Sequence, residues 1–385
     1  MSDPDLRPYD VACTLGLEEV LKAELIALGA RQVDTRRGGA TCKGDLGFGY
    51  RACLWLRSAV RVVEQLGSFH AASAQDLYDG IAALPWERWL SPDDTLAVDA
   101  TVRDSAVTHS NFAAVRVKDA VCDRFVERTG RRPSVDRESP TVWLRLRWVK
   151  GRAQIARDLS GASLHKRGYR PIQVKSPLNE ATAAGLLLAA GYDGSGTLLD
   201  PMCGSATFLV EAAWIALDRA PGLDRRFAFT AWPDFDRELW RRIVDEAFGR
   251  VREDTDARFV GIDRHAGALS LARLSVDAAG VGAWVHLERG DIATWRPARA
   301  PEWVFTNPPW GERLGQDQGE DTAEASWDAL AELLRACPGA QAHVLSGSPE
   351  LSKRLRMKAD RKWPVKTGPI DCRLLRYEVH ARSAR

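Results

Sequence analysis

Between residues 197 and 347 the chain alternates short apolar runs with amphipathic stretches, and this restricts the fold more than any other feature. TLLD (197–200), RFVGID (258–263), WVHLERGD (284–291), WVFTN (303–307) and QAHVLSG (341–347) read as strands. SATFLVEAAWIAL (205–217), AGALSLARLSVDAAG (266–280) and AEASWDALAELLRAC (323–337) read as helices. Such alternation specifies an α/β class, with a parallel sheet covered by helices on both faces. The tail, DRKWPVKTGPIDCRLLRYEVH (360–380), reads as two longer strands around Thr367-Gly368-Pro369, an antiparallel hairpin on the sheet edge.

The N-terminal half has another texture. LEEVLKAELIALG (17–29) is an amphipathic helix ending at Gly29, and Gly38-Gly39 mark a turn between extended pieces. FGYRACLWLRSAVRVVEQL (48–66) alternates apolar and basic residues at helical spacing, which closes a small α+β unit. A second unit follows, with helices at 74–84 and 111–130 and a strand at 95–102. It ends in TVWLRLRWV (141–149), where Leu144, Leu146 and Trp148 alternate with Arg145 and Arg147 as in a half-buried strand with a basic outer face. The expected division is 1–66, 67–158, a linker at 159–175, and 176–385.

With 45% hydrophobic and 28% charged residues the chain is an ordinary globular one, and 385 residues call for more than one core. A net charge of +2 confines any nucleic-acid surface to a local patch. Seven cysteines without a C-x-x-C pair fit free thiols in a reducing compartment and no zinc site. The first ten residues are unlike a signal peptide, and the most apolar stretch, 183–191, is far short of a bilayer span. The expectation is a cytoplasmic, monomeric protein without membrane or metal.

In open α/β sheets ligands bind beyond the carboxyl ends of the strands. Four strand ends carry suitable residues. Asp200 opens the loop DPMCGSATF (200–208), where Gly204 and the amides of Ser205 and Ala206 precede a helix whose first donors face outward. Asp263 is placed to accept both hydrogen bonds of a ribose diol, Asp291 to meet an adenine amino group, and Asn307 ends the fourth strand. Singly, a strand-terminal Asp is more often a cap or turn former. A dinucleotide fingerprint, G-x-G-x-x-G, is absent, which disfavours a nicotinamide dehydrogenase.

The most specific signal is NPPW, residues 307–310. The plain reading is a rigid turn. The sharper one is a clamp for a planar amino group, with the Asn307 side-chain oxygen and the Pro308 carbonyl each accepting an N–H. Pro309 stiffens the clamp, and Trp310 offers a stacking face for a flipped base.

DPMCGSATF, the acidic strand end, GD at 290–291 and NPPW together resemble class I S-adenosylmethionine-dependent methyltransferases acting on planar amino groups. DLSGASLHKRGYR (158–170), PLNEATAAGLLL (177–188), DPMCGSATFLVEAA and NPPWGERLG resemble, more narrowly, the bacterial THUMP-domain methyltransferases that make N2-methylguanosine in large-subunit ribosomal RNA. Related enzymes of that group act on transfer RNA. GLEEVLKAEL (16–25), GFGYRACLWLRSAVRV (47–62) and AAVRVKDAVCDRF (113–125) extend the resemblance to the N-terminal half.

The resemblance implies a ferredoxin-like piece, a THUMP RNA-binding domain and a Rossmann-like methyltransferase domain with an edge hairpin. It implies S-adenosyl-L-methionine as cofactor, held by Asp200, Pro201, Met202, Cys203, Gly204 and Ser205 on the methionine side, Asp263 at the ribose and Asp291 at the adenine. Asn307, Pro308, Pro309 and Trp310 would take the target base. The long insert at 218–251 is expected to form a lid or helix.

Three positions depart from the family. Glycine is usual at Ala206, and alanine is harmless there if the residue is simply the first of the helix. Tyrosine is common at Trp310, and Pro-Arg is usual at Thr14-Leu15.

Basic residues crowd the interval 128–175: Arg128, Arg131, Arg132, Arg137, Arg145, Arg147, Lys150, Arg152, Arg157, Lys166, Arg167, Arg170 and Lys175. Only Asp136, Glu138 and Asp158 oppose them, and Trp143, Trp148, His165 and Tyr169 are interleaved. A charge run usually means a solvated face. The arginine content and the aromatics favour RNA, with Lys118, Arg145, Arg147, His165, Lys166, Arg167 and Arg170 as candidate contacts. The resulting expectation is an RNA guanine-N2 methyltransferase. The alternatives are a transfer-RNA substrate, adenine-N6 of DNA, a protein glutamine amide, and a non-catalytic RNA-binding assembly factor.

Overall fold

The computed structural model describes residues 6–170, 178–310 and 320–380. The N-terminal half runs β1 (Arg7–Cys13), α1 (Glu18–Ala27), β2 (Arg31–Arg36), β3 (Gly39–Gly44), α2 (Leu46–Trp55), β4 (Ala59–His70), α3 (Ala74–Ala82), β5 (Thr95–Arg103), α4 (Ser110–Thr129), β6 (Ser134–Val135), β7 (Val142–Val149) and β8 (Arg152–Asp158). The C-terminal half runs α5 (Glu180–Ala190), β9 (Thr197–Asp200), α6 (Thr207–Ala216), α7 (Arg237–Arg250), β10 (Arg258–Asp263), α8 (Ala266–Ala278), β11 (Val285–Arg289), β12 (Trp303–Thr306), α9 (Glu320–Arg335), β13 (Gln341–Ser346), α10 (Pro349–Lys353), β14 (Arg361–Thr367) and β15 (Ile370–Glu378).

The C-terminal strands make one sheet, β11-β10-β9-β12-β13-β15-β14. The first five are parallel, and β15 and β14 continue it antiparallel, as the hairpin reading of the tail requires. Strand order reverses between β9 and β12, so the loops after them flank the switch point. Central strands buried on both faces read as apolar runs, with Leu198, Leu199, Val304 and Phe305 at 0–1% exposure.

The N-terminal strands form a second sheet, β2-β3-β1-β4-β8-β7-β5-β6. The strand common to its two parts is β4, which pairs with β1 on one edge and β8 on the other. Helical spacing over 48–66 misled here. The helix stops at Trp55, and Ala59–His70 is strand, because Val60, Val62 and Val63 favour the extended form and both edges find partners. The expected boundary at 66/67 falls inside this strand.

The insert at 218–251 does carry a helix, α7, but it is not a lid. It packs against α2 of the N-terminal half, with Phe229, Phe235 and Trp240 around the Tyr50 ring. Asp234 receives the fully buried Arg157 guanidinium at 2.6 and 2.8 Å, and Arg157 also bonds Glu64 at 2.7 and 2.9 Å and lies over the Trp232 ring. The two sheets are thereby fastened to each other. No helix among the described residues is long and apolar enough to cross a membrane.

Candidate active site

A cavity of about 340 Å³ opens at the switch point. Pro201 and Met202 from the loop after β9, Asp263 after β10, Asp291 after β11, and Asn307, Pro308 and Pro309 after β12 all line it. Four strand ends scattered over more than a hundred residues therefore converge on one cavity.

The loops are wired together. Asp263 accepts the Gly204 amide on Oδ2 at 3.0 Å and the His265 amide on Oδ1 at 2.9 Å, so it fixes the first loop against the second and keeps further lone pairs on each oxygen. Asp291 accepts the Ala293 amide at 2.9 Å and is otherwise exposed to the cavity. Asp200 lies beneath the wall. It is 2% exposed, accepts the Met202 amide at 3.2 Å, and is pushed up to about 7 by burial, with the Asp263 charge adding to the shift. Cys203, Gly204 and Ser205 are not among the lining residues; Gly204 and Ser205 are half-buried, and burial pushes the Cys203 thiol well up. An acidic pair at successive strand ends with backbone-lined walls between fits a cofactor that carries a ribose and an adenine.

Ala206 corrects the sequence reading. It is not the first helical residue but the cap before α6, at φ 62° and ψ 26°, the left-handed region where a side chain is disfavoured. The family's usual glycine is explained by that conformation.

In the NPPW segment the four residues separate. The Pro309 carbonyl is taken by the Trp327 indole of α9 at 2.9 Å, whereas the Pro308 carbonyl has no donor among the described residues. Trp310 is not a cavity wall. It is 4% exposed, and its ring lies so close to Gly347 that a Cβ there would come within 2.4 Å. A flat aromatic against a bare Cα is packed, not displayed, which corrects the expected stacking face. Its indole N–H instead donates to Asn307 Oδ1 at 3.2 Å. That bond fixes which end of the carboxamide is oxygen and leaves the oxygen's second lone pair unused by Trp310. The GERLG that continues the motif, 311–315, lies outside the described residues.

The sequence reading missed Arg264, His265, Gly290, Ile292 and Ala293, which line the cavity beside Asp263 and Asp291, and Ala325, Ser326 and Ala329 of α9. The first five were legible as neighbours of the acidic strand ends. The α9 residues, small ones one turn apart, gave no signal beyond helical spacing.

In the basic interval, three arginines belong to the interior, the candidate contacts Arg167 and Arg170 among them. Arg167 is 2% exposed and donates to Glu211 at 2.8 Å and to the Arg57 carbonyl at 2.6 Å; the buried Tyr169 hydroxyl donates to the same Glu211 oxygen at 3.0 Å. Arg170 holds Thr207 at 2.6 Å and pairs with Glu180 at 3.1 Å. Arg157 is the buried group described above, and Trp148 is buried as well. Arg145 is tied to Asp99 and Asp158 on its own sheet, and Lys118 to Asp119.

His165 bonds Ser163 at 2.7 Å, and burial together with the charges of Lys166, Arg167, Arg225 and Arg170 pushes it down to about 4. It is neutral at physiological pH. Arg128, Arg132, Arg137, Arg147, Lys150, Arg152 and Lys166 remain exposed, as does Arg131 with its Asp93 partner. Lys175 lies outside the described residues. Among these residues no cluster could hold a metal ion.

The chain matches three family models: an RlmL ferredoxin-like domain over 11–63, a THUMP domain over 71–158, and an RMKL-like methyltransferase domain over 167–376. It is 41% identical over 94% of its length to the ribosomal RNA large subunit methyltransferase K/L of Syntrophotalea carbinolica, and 40% identical over 98% to that of Methylococcus capsulatus. It covers 52% of each, so it spans about half the length of these relatives.

Among solved structures, a protein assigned as a methyltransferase and crystallised with SAH is 26% identical at a TM-score of 0.88, covering 99% of this chain and 100% of that one. One from Listeria monocytogenes, described as a predicted N6-adenine-specific DNA methylase, is 28% identical at 0.88, covering 97% and 96%. With its methyltransferase-domain model matched over more than half the chain, this protein belongs to the RMKL-like methyltransferase family, joined to ferredoxin-like and THUMP domains.

Proposed function

We propose that the chain transfers a methyl group from S-adenosyl-L-methionine to the exocyclic N2 of a guanosine in large-subunit ribosomal RNA. The observation that carries this is the asymmetry of the two proline carbonyls: Pro309 is spoken for by Trp327, and Pro308 is open beside Asn307 on the cavity wall. Two rigid acceptors side by side suit an NH₂ group, whose nitrogen lone pair is otherwise delocalised into the base.

The bound cofactor supplies the electrophilic methyl group; Asp263, Asp291 and the walls at Pro201–Met202 and Gly290–Ala293 would hold it. Asn307 Oδ1 and the Pro308 carbonyl take the two N–H groups and turn the nitrogen towards it, and one proton leaves after transfer. The relatives' names support ribosomal RNA as substrate, and the THUMP match supports an RNA partner.

The test is incubation with methyl-labelled cofactor and unmodified ribosomal or transfer RNA, followed by digestion to nucleosides. Label in N2-methylguanosine of the ribosomal fraction is the expected result. Label only in transfer RNA, or in another nucleoside, overturns the substrate or the base. Asn307→Ala is expected to abolish transfer with cofactor affinity kept; loss of both removes Asn307 from the role given to it.

A further inference from the structure

A second cavity, of about 660 Å³, lies apart from the one described above. It lies where the N-terminal half meets the edge hairpin. One wall is the face of β14–β15 that carries Lys362, Pro364, Lys366, Arg373 and Leu375; the others are the turn Leu15–Gly16 before α1 and the start of α10. Its size is that of a ligand site, for which roughly 300–1,000 Å³ is usual.

The seam is built. The Lys366 amide donates to the Leu15 carbonyl at 3.0 Å, and Gly16 lies against Pro364 so closely that a Cβ would meet its carbonyl oxygen at 2.0 Å. Gly16 is at φ +99°, a second reason for glycine at that point.

Its charge is one-sided. Lys362 and Arg373 are exposed and have no carboxylate partner among the described residues. Lys366 is only loosely engaged, 3.7 Å from Asp371, and Lys353 is paired with Glu350 at the surface. The one acid of the opposite wall, Glu18, has both oxygens occupied by the Gly16 and Gly38 amides at 2.8 Å. In the register of the hairpin Arg373 faces Pro364 and Lys362 faces Leu375, so the two unpaired cations are diagonal neighbours on one face, roughly 7–8 Å apart. The floor between them includes half-buried Met357 and Ala359. Cations along a groove with apolar floor are what an extended nucleic-acid strand needs.

The groove approaches the candidate active site through Gly347. Gly347 lines it, and the Trp310 ring, whose N–H donates to Asn307, packs against Gly347. We infer that this groove binds the single-stranded RNA flanking the target nucleotide, with Lys362 and Arg373 on consecutive phosphates. The inference rests on the proposed RNA substrate. A base extruded into a cavity leaves its neighbours to run along the nearby surface, and this cationic groove is linked to Asn307 through Gly347 and Trp310.

The test compares the full chain with Lys362→Glu/Arg373→Glu, the milder Lys362→Gln/Arg373→Gln, and a control pair away from the groove, Arg241→Gln/Arg242→Gln on α7. Binding of unmodified transcribed ribosomal RNA is measured across a salt series, alongside melting temperature and S-adenosylhomocysteine affinity. Each phosphate contact on a single strand contributes about 0.7 to the slope of log affinity against log salt, so the groove pairs should lower the slope by about 1.4. Melting temperature, product affinity and the control pair's slope should stay at the wild-type level. A wild-type slope in both groove pairs, or an equal loss in the control, overturns the inference. Wild-type RNA binding that follows this pattern without methyl transfer would sink the enzymatic reading and leave the groove standing; transfer with an indifferent groove would do the reverse.

Discussion

Ala206 shows how much can turn on a single dihedral angle. Left-handed backbone costs a residue with a Cβ about 1–2 kcal/mol, part of which glycine returns through its freer unfolded chain. Ala206→Gly should therefore stabilise the protein, by up to about 1 kcal/mol, seen as a higher denaturation midpoint with unchanged cofactor affinity; a lower midpoint would show that the buried methyl group outweighs the strain.

Trp310→Phe keeps the packing on Gly347 and removes the N–H that orients Asn307. One such hydrogen bond is worth about 1 kcal/mol, so kcat should fall roughly fivefold with little change in the cofactor's KM. An unchanged kcat would return the indole to packing alone.

Asp200 makes stability depend on pH. Its folded value near 7 exceeds the unfolded one, about 4, so between them the native state holds the proton more tightly. The contribution is full below pH 4 and is lost as pH rises through 7, and a denaturation series in which Asp200→Asn loses this decline is the expected result. Asp200, Asp263, Asp291 and Asn307 were legible because each follows directly from a strand end. The left-handed angle at Ala206 was not, since it depends on where α6 begins.

Helices and strands were read from periodicity, and periodicity fails where pairing decides. The parallel strands of the C-terminal half are short apolar runs between helices, and the pattern allows no other arrangement. β4 carries valines at positions that also suit a helix, and only its partners β1 and β8 settle the matter. The basic interval failed for a related reason. Arg157 finds Glu64 and Asp234 at separations of 93 and 77 residues, and Arg167 finds Glu211 at 44, so no local count of acids could pair them. These ion pairs attach the insert and the connector to both halves. Arg157→Ala leaves Glu64 and Asp234 with only the longer contacts to Arg7, at 3.2 and 3.4 Å, and should cost about 3 kcal/mol, read as an early denaturation midpoint. A midpoint near wild type would show that water replaces the guanidinium there.

At the scale of the molecule, three family matches along the chain do not behave as three beads. The ferredoxin-like and THUMP regions share one eight-stranded sheet through β4, and α7 with Arg157 and Asp234 bolts that sheet to the methyltransferase-domain half. Composition suggested separate units because turns and changes of texture fall between them; a shared strand leaves no such mark. The consequence of β4 is one of measurement. A strand common to both regions ties the THUMP region to the ferredoxin-like one, and the Arg157–Asp234 pair ties that sheet to the half that carries Asn307. On the proposed RNA substrate, such a frame would act as a calliper, with an RNA held on the THUMP region offering to Asn307 the nucleotide that lies the matching distance along its fold.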